Sequence, residues 1–276
     1  MKPRGLSTPE DRAEAQRTAE MLAEAARAAT LRHFRSPALT VADKGGEGAY
    51  DPVTVADREA EAAMRAILAD RHPQDAVHGE EHGESAGTSG RRWVLDPIDG
   101  TRAYLAGLPT WGVLIALGVP GGPVLGVMDQ PFTRERLCGV TWDGEQRTLW
   151  QRDGEERLLR TRERSLDDAV VLTTAPEAFA GPDDLRAFGN VARRARLTRF
   201  GTDCYGYAVV AMGQADLVIE SGLKPYDIQA MIPIVEGAGG VVTNWQGGDC
   251  QEGGQVVAAG SHALHDQALE ILASAA

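Results

Sequence analysis

The sequence contains little cysteine: its 276 residues include three, Cys138, Cys204 and Cys250. Three scattered thiols are too few for a disulfide framework, and their spacing fits no thiolate metal site. Cys204 has no evident histidine partner, which argues against a nucleophilic thiol. We therefore expect neither stability nor catalysis to depend on thiol chemistry.

Long apolar runs are missing as well. The longest lies around Val113 to Val119 and is far too short to cross a membrane. The chain also lacks an opening basic segment followed by an apolar one, which is the pattern of a secretory leader. We expect a cytoplasmic protein with no membrane partner.

Positive charge is in deficit, because 28 lysines and arginines face 40 aspartates and glutamates, for a formal net charge of -12. This balance argues against a nucleic-acid partner, since a phosphate backbone requires a basic face. It also disfavours a phosphorylated ligand unless metal ions reverse the sign locally. The hydrophobic fraction of 43% is that of an ordinary globular protein, and the length suits one large domain or two joined lobes.

Helical and strand patterns divide the chain in two. Two amphipathic helices are predicted near the start, one from Pro9 to about Phe34 and one after the segment DPVTVADREAE. Closely spaced strands follow up to residue 150, whereas strands and helices alternate beyond the charged segment 151–164. We predict an α/β fold, layered as α+β, with an N-terminal lobe at residues 1–150 and a C-terminal lobe at 151–276.

Two carboxylates, Asp96 and Asp99, stand three residues apart where the predicted strand Arg92–Leu95 ends in WVLDPIDGT. Asp, Pro and Gly all form turns, so an ordinary turn is one reading. In the other reading the strand end is a ligand site, and the helix opened by Gly100 and Thr101 offers N–H groups to an anion. Carboxylates beside an anion site require a cation between them, so this reading predicts a metal and a phosphate held together.

Further acidic groups stand at other element ends: Asp51 with Asp57, Glu80 with Glu81, and Asp227 at a helix start. Each alone is explained by capping or by a turn, but together they indicate one site. Carboxylate oxygens without His or Cys partners favour Mg²⁺ or Mn²⁺ over zinc. Two such ions can hold a phosphate, generate a hydroxide and shield a leaving oxygen.

Four motifs resemble the inositol monophosphatase family of metal-dependent, lithium-sensitive phosphatases: DPVTVAD, GEE, WVLDPIDGT and KPYD…EGAGGVVT. They run in the family's order from about Lys44 to Thr243. Within the family, the segments YGY, GLKPYDIQAMIPIVEGAGGVVT and DQPFTRER are most similar to the histidinol-phosphate phosphatase branch. The resemblance implies a two-lobed sandwich of alternating helix and sheet layers, with the metals at the lobe junction. It also implies a small phosphorylated alcohol as substrate and a homodimer.

The resemblance assigns metal ligands by position. It implies that one Mg²⁺ is bound by Glu80, Asp96 and the Ile98 carbonyl, and a second by Asp96, Asp99 and Asp227. Two or three ions are implied, with Mn²⁺ as an alternative. Lys44 is displaced by two residues from the family's position, so its role near the metals is left open.

Roles in catalysis follow from the same resemblance. Asp57 and Thr101 would orient the attacking water, with Glu80 beside it. The amides of Gly100 and Thr101 would hold phosphate oxygens. A rival mechanism through an aspartyl-phosphate needs an Asp-x-Asp pair, which this spacing does not provide.

Substrate contacts are implied for Asp203 and Glu220, which would meet the alcohol, and for Tyr205 or Tyr207 as an aromatic wall for an imidazole. Asp203 has a second reading as the N-cap of a helix over Cys204–Met212. The implied reaction is hydrolysis of L-histidinol phosphate in histidine biosynthesis. Inositol 1-phosphate is the alternative substrate. Adenosine bisphosphate, fructose bisphosphate and an inactive regulatory homologue are weaker alternatives.

Two positions depart from the family's pattern. Tyr226 stands where the family has Trp before its last Asp, and His82 follows GEE where an aromatic residue is common. We expect His82 to lie at the surface rather than to bind a metal, because its neighbours already supply hard oxygens. We expect Glu81 to help orient the metal ligands without binding a metal itself.

Overall fold

The computed structural model describes residues 6, 8–37, 39, 41–43, 52–142 and 144–274, without the side chain of residue 52. Lys44 and Asp51 lie outside these residues, so the questions raised about them stay open.

Eight helices are described: α1 Pro9–His33, α2 Val55–Arg71, α3 Thr101–Ala106, α4 Pro182–Ala192, α5 Tyr205–Ala211, α6 Pro225–Ile228, α7 Met231–Gly237 and α8 His262–Ala273. The start of α1 has a local cause, because the Thr8 side chain accepts a hydrogen bond from Asp11 N and a proline occupies the first turn. Among the described helices, none has an apolar run long enough to span a membrane.

Fifteen strands are described in the same residues: β1 Val41–Asp43, β2 Pro52–Thr54, β3 Ala76–Gly79, β4 Gly83–Ser85, β5 Arg92–Asp99, β6 Gly112–Val119, β7 Gly122–Gln130, β8 Glu135–Trp142, β9 Glu145–Arg152, β10 Glu155–Leu158, β11 Val170–Leu172, β12 Leu197–Arg199, β13 Leu217–Leu223, β14 Val241–Thr243 and β15 Gly254–Ala259. Strands β1 and β2 form a two-stranded sheet. Eight strands form a sheet in the order β10-β9-β8-β7-β6-β5-β3-β4, and five form a second in the order β12-β11-β13-β15-β14.

Three separate cores stack helices and sheets in alternating layers. In the first, α1 and α2 cover one face of the eight-stranded sheet through Leu22 and Met64. In the second, α5 and α7 fill the space between the two sheets, where Ile234 packs. In the third, α4 and α8 cover the five-stranded sheet through Phe188 and Leu264. The predicted sandwich is therefore confirmed.

The lobe boundary expected at residue 150 falls inside β9. Strand β10 pairs with β9 antiparallel, from Glu155 opposite Arg152 to Leu158 opposite Leu149, so the eight-stranded sheet continues to Leu158. The segment is rich in charge because β10 is an exposed edge strand. We keep the division into two lobes as a proposal and place its boundary between Leu158 and Val170.

The motif DQPFTRER, which supported the histidinol-phosphatase branch, anchors α1 to the sheet. Asp129 is fully buried and accepts hydrogen bonds from Arg27 Nε at 3.1 Å and Nη2 at 2.6 Å. It also accepts one from Arg136 Nε at 2.8 Å, and Arg136 reaches Glu24 of α1 at 2.7 Å. The charged residues of this motif therefore have a structural function.

We expect Asp129→Asn to lower the free energy of unfolding by about 3 kcal/mol, because it leaves Arg27 without its counter-charge and Arg136 with Glu24 alone. Urea denaturation measures the change. Asp153→Asn is the matched control, since the pair of Asp153 with Arg134 is solvent-exposed and worth less than about 1 kcal/mol. Equal losses in the two variants would contradict this view of Asp129.

Candidate active site

The two aspartates of WVLDPIDGT lie in a bulged strand rather than in a turn. Asp96 is opposite Leu114 of β6 and Asp99 is opposite Gly112. An advance of three residues along β5 thus corresponds to an advance of two along β6, which is a β-bulge. The extra residue is accommodated beside Pro97, whose missing N–H suits a bulge. A bulge re-aims side chains, and here it turns two carboxylates of one strand toward the same site.

Backbone groups hold both carboxylates in place. The N–H of Ile98 donates to Asp96 Oδ1 at 3.0 Å, and the N–H of Cys204 donates to Asp99 Oδ2 at 2.7 Å. The Thr101 hydroxyl donates to the Ile98 carbonyl at 3.1 Å. That carbonyl can meet a metal through its second lone pair or after the hydroxyl turns away.

Three carboxylates converge on one point: single oxygens of Asp96, Asp99 and Asp227 lie within 4.8 Å of one another. Burial, and then the charge of Glu80, Asp99 and Asp227, raises the pKa of Asp96 well above its usual value. Burial and the charge of Asp227 do the same to the pKa of Asp99. Such crowding of like charges is relieved by a cation, and an all-oxygen donor set fits Mg²⁺.

Asp227 joins this group from the central helical layer. It lies at the start of α6, where the Lys224 N–H donates to Asp227 Oδ2 at 2.7 Å. Burial raises the pKa of Asp227 to about 7, although this hydrogen bond opposes the shift, and the charges of Glu80 and Glu220 raise it further.

Glu80 borders the three aspartates without belonging to the tight group. It follows β3, and its N–H donates to the Leu95 carbonyl of β5 at 3.2 Å. Its charge raises the pKa values of Asp96 and Asp227, so the structure brings these predicted ligands together.

Asp57 also faces this site, from the first turn of α2. Its Oδ2 accepts hydrogen bonds from Thr54 N at 2.8 Å and from Thr54 Oγ1 at 2.5 Å. Its Oδ1 is buried and has no hydrogen-bond partner within the described part of the chain. Burial raises the pKa of Asp57 to about 6 against these bonds, and the charge of Glu81 adds to the rise.

A cavity of about 210 Å³ extends from the aspartates toward the five-stranded sheet. Its lining includes the carboxylates of Asp99, Asp227 and Glu220 and the aromatic rings of Tyr207 and Phe179. It lies next to the group of aspartates, so a ligand with one charged end could fill both.

Glu220 lies in this wall with both oxygens engaged. Oε1 accepts from Thr174 N at 3.1 Å and Thr174 Oγ1 at 2.5 Å, and Oε2 accepts from the Tyr207 hydroxyl at 2.8 Å. Burial raises the pKa of Glu220 despite these bonds. Tyr207 thus reaches the cavity as predicted, but its hydroxyl orients Glu220.

Asp203 borders the same cavity and does not cap a helix. Helix α5 begins at Tyr205, and the residue before it, Cys204, makes no side-chain cap. Asp203 adopts the left-handed conformation, with φ of 44°, and its Oδ2 accepts from Thr110 Oγ1 at 3.0 Å. Burial raises the pKa of Asp203 against that bond. The N-cap reading was therefore wrong.

Tyr205 was wrongly assigned to the substrate wall. Its hydroxyl donates to Glu135 Oε2 of β8 at 2.5 Å, and the Trp150 indole donates to the other oxygen at 3.0 Å. Tyr205 is not among the residues that line the cavity. The aromatic residue that the sequence analysis missed there is Phe179.

Gly100 and Thr101 lie where the resemblance implied, at the start of α3. Gly100 has φ of 81°, and a Cβ on it would come within 2.9 Å of Asp203 Cβ. A glycine is thus required both by the turn and by the approach of Asp203.

His82 is exposed at 43% of its side chain, and its Nδ1 lies 3.3 Å from Glu61 Oε1, which agrees with the surface reading. Sequence analysis overlooked Glu61, whose only signal was its position one helical turn after Asp57.

A sequence model described as the inositol monophosphatase family matches residues 11–275. This chain belongs to the inositol monophosphatase family. The family consists of metal-dependent phosphatases that act on small phosphorylated substrates. The motifs that predicted this membership are the ones that meet at the site.

Individual relatives agree with this membership. The chain is 40% identical over 265 residues to the bifunctional phosphatase IMPL2 of Arabidopsis thaliana, covering 91% of this chain and 72% of that one. It is 37% identical to the histidinol-phosphatase of Streptomyces coelicolor, covering 93% and 96%. An inositol monophosphatase structure from Zymomonas mobilis matches with a TM-score of 0.81 and 41% identity, covering 94% and 98%. The Nus factor SuhB of Escherichia coli is 31% identical, covering 73% and 75%.

We expect the metal-free protein to lose stability as the pH rises from about 5 to about 8. The folded-state pKa values of about 6 for Asp57 and about 7 for Asp227 exceed the unfolded value. Proton binding by these carboxyl groups therefore stabilises the folded protein fully at a pH below their unfolded-state pKa. This stabilisation is lost as the pH rises through their folded-state pKa. Thermal unfolding in chelator measures this.

The matched control is Asp227→Asn, in which the decline of Tm with pH should be shallower because asparagine does not titrate. Buried His72 and His265, with lowered pKa values, act in the opposite direction but are present in both proteins. The same pH dependence in both proteins would contradict the assignment.

Proposed function

We propose that this protein is a Mg²⁺-dependent phosphomonoesterase that hydrolyses L-histidinol phosphate to L-histidinol and phosphate, a reaction of histidine biosynthesis. The choice of substrate rests on two carboxylates, Asp203 and Glu220, which border the cavity beside the aspartate group. Family membership supports phosphate-ester hydrolysis, and similarity to histidinol-phosphatases supports the choice of branch.

The ions would be held by the oxygens assigned from the resemblance: Glu80, Asp96 and the Ile98 carbonyl for one, and Asp96, Asp99 and Asp227 for a second. A third ion, or Mn²⁺ in place of Mg²⁺, suits the same donors. When bound, the ions supply the positive charge that holds a phosphate in this acidic site and that activates water.

Asp57 is the group best suited to accept a proton from the attacking water. Thr54 occupies Oδ2, which leaves the buried Oδ1 to face the water. In the protein without ions, burial raises the pKa of this carboxylate to about 6. A general base must lie within hydrogen-bond reach of the proton that it accepts, and the free Oδ1 meets this need. Thr101 would orient the same water, and the amides of Gly100 and Thr101 would hold phosphate oxygens.

The proposed selectivity for histidinol phosphate depends on the position of Asp203. Its Cβ is close to Gly100, at the phosphate end of the cavity. In histidinol phosphate the ammonium is on the carbon next to the ester methylene, so it too is near the phosphate. Asp203 would meet this ammonium, and the imidazole would extend toward Glu220 and Phe179. A charge-assisted hydrogen bond of this kind contributes about 1.5–3 kcal/mol.

Inositol 1-phosphate is the alternative substrate, but its neutral hydroxyls would gain less from two carboxylates. Adenosine bisphosphate and fructose bisphosphate are disfavoured by the acidic surroundings. A regulatory, inactive homologue is a further alternative in view of the SuhB relative, and the complete carboxylate set argues against it. Cytoplasmic location and a homodimer belong to this proposal as well.

We expect the Mg²⁺-loaded enzyme to release phosphate faster from L-histidinol phosphate than from inositol 1-phosphate at equal concentration. Asp203→Asn should raise KM for histidinol phosphate about tenfold or more, since losing one charged contact is worth at least about 1.4 kcal/mol. Asparagine is chosen because it tolerates the left-handed conformation at this position. Phosphate release over a substrate series measures both effects.

Inositol 1-phosphate serves as the internal control, because its KM should change little in Asp203→Asn. Equal losses for both substrates would mean that Asp203 shapes the site without selecting the ammonium. A wild-type preference for inositol phosphate would rule out the histidinol assignment.

A further inference from the structure

The turn that carries Glu80 connects strands β3 and β4, which pair from Val77 opposite Ser85 to Gly79 opposite Gly83. Residues 82–85, which follow Glu80 and Glu81, are exposed to solvent. On the inner side, the Glu80 N–H is bonded to Leu95 of β5. A ligand carboxylate on such a turn needs a further constraint if it is to be held in one position.

Glu61 of α2 provides that constraint from beneath the turn. Its side chain is fully buried, and its Oε2 accepts a hydrogen bond from the Glu81 N–H at 2.7 Å. Its Oε1 accepts from the His82 N–H at 3.2 Å and from Arg65 Nε at 2.7 Å. One carboxylate thus fixes the two backbone amides that directly follow Glu80.

Arg65, one helical turn further along α2, holds the far end of the same turn. Its guanidinium donates to the Gly83 carbonyl and, at 3.1 Å, to the Ser85 hydroxyl. The ion pair of Glu61 and Arg65 therefore connects α2 to the turn after Glu80 and to strand β4. It also compensates the buried charge of Glu61.

Gly79 makes room for this carboxylate. A Cβ at residue 79 would lie 2.0 Å from Glu61 Oε1 and 2.3 Å from its Cδ. The backbone of Gly79 is not left-handed, so what the position requires is close approach and not an unusual φ. Glu61 occupies the space that any other side chain at residue 79 would take.

Asp57 and Glu61 are four residues apart and so lie on one face of α2. The first faces the reaction site and the second holds the turn of Glu80. We propose that Glu61 is a positioning residue. It fixes the position of Glu80 relative to Asp57, and so the position of a bound Mg²⁺ relative to the proton acceptor. This inference rests on the metal-dependent function proposed above.

The neutral isostere Glu61→Gln tests the role. In this variant an amide NH₂ group, which cannot accept a hydrogen bond, takes the place of one carboxylate oxygen. It then faces either the Glu81 N–H or the N–H groups of His82 and Arg65. At least one backbone hydrogen bond is lost while shape is kept. Partners that orient metal ligands typically change metal affinity by about 10–100-fold.

We expect Glu61→Gln to weaken Mg²⁺ binding about tenfold or more, measured by calorimetry on the full-length protein without substrate. The Mg²⁺ concentration for half-maximal phosphatase activity should rise in parallel, and excess Mg²⁺ should restore much of the activity. The control is Glu59→Gln on the same helix, whose partners Arg32 and His33 lie away from the turn. It should bind Mg²⁺ as the wild type does.

A second variant tests the contact itself. Gly79→Ala should weaken Mg²⁺ binding because the methyl group displaces the carboxylate, and it should add little further loss in a Glu61→Ala background. Independent, fully additive losses would contradict the shared mechanism.

Two outcomes separate this role from the function on which it rests. Wild-type Mg²⁺ affinity in Glu61→Gln, even with a lowered Tm, would overturn the positioning role and leave the phosphatase proposal intact. Failure of the wild-type protein itself to bind Mg²⁺ would overturn both.

Discussion

Electrostatic repulsion among Asp96, Asp99 and Asp227 is the constraint on which the rest of the structure depends. Two unit charges about 4 Å apart repel by about 4 kcal/mol at the effective dielectric of a protein surface. The fold sets single oxygens of three such groups within 4.8 Å of one another, with Asp96 buried and Asp99 and Asp227 half-buried. Desolvation and mutual repulsion raise their pKa values. A site of this kind is stable with protons or with cations, and at neutral pH a divalent ion is the stronger partner.

The surrounding layers each contribute one part of this site. The bulge in β5 supplies two aspartates, and α6 in the central layer supplies the third. Helix α2 supplies Asp57 and holds the Glu80 turn through Glu61. The cavity wall beyond them comes from the end of β13 and the segment before α5, where Glu220 and Asp203 lie. Because rigid elements carry the groups, their relative positions are set before a ligand binds.

Local sequence signals predicted much of this arrangement. Caps, turn residues and apolar periods located most helices and strands, and acidic clusters at element ends located the group of carboxylates that could hold a metal. Contacts between distant segments were not predictable in the same way. No local sequence pattern predicts the contact of Glu61 with Gly79. The exposed edge strand β10 has the amino-acid composition of a linker, so its pairing with β9 was not predicted.

The sequence alone leaves the aromatic wall open between Tyr205 and Tyr207. Tyr205 and Tyr207 are two residues apart in a predicted helix, where they differ in direction by roughly 200°. They could not both line one cavity, and the structure places only Tyr207 there. Asp203 was ambiguous for a different reason, because its side chain contacts Thr110 and approaches Gly100, which are both distant in the sequence.

Calorimetric titration of the metal-free protein with Mg²⁺, in buffers of different ionisation enthalpy, tests the central claim most directly. Since burial raises the pKa of the proposed ligand Asp227 to about 7 and metal ligands must be ionised, binding at about pH 6 should release protons. The release should decline as the pH is raised to about 9. Mg²⁺ binding without proton release at the lower pH, or no binding at either, would contradict the account.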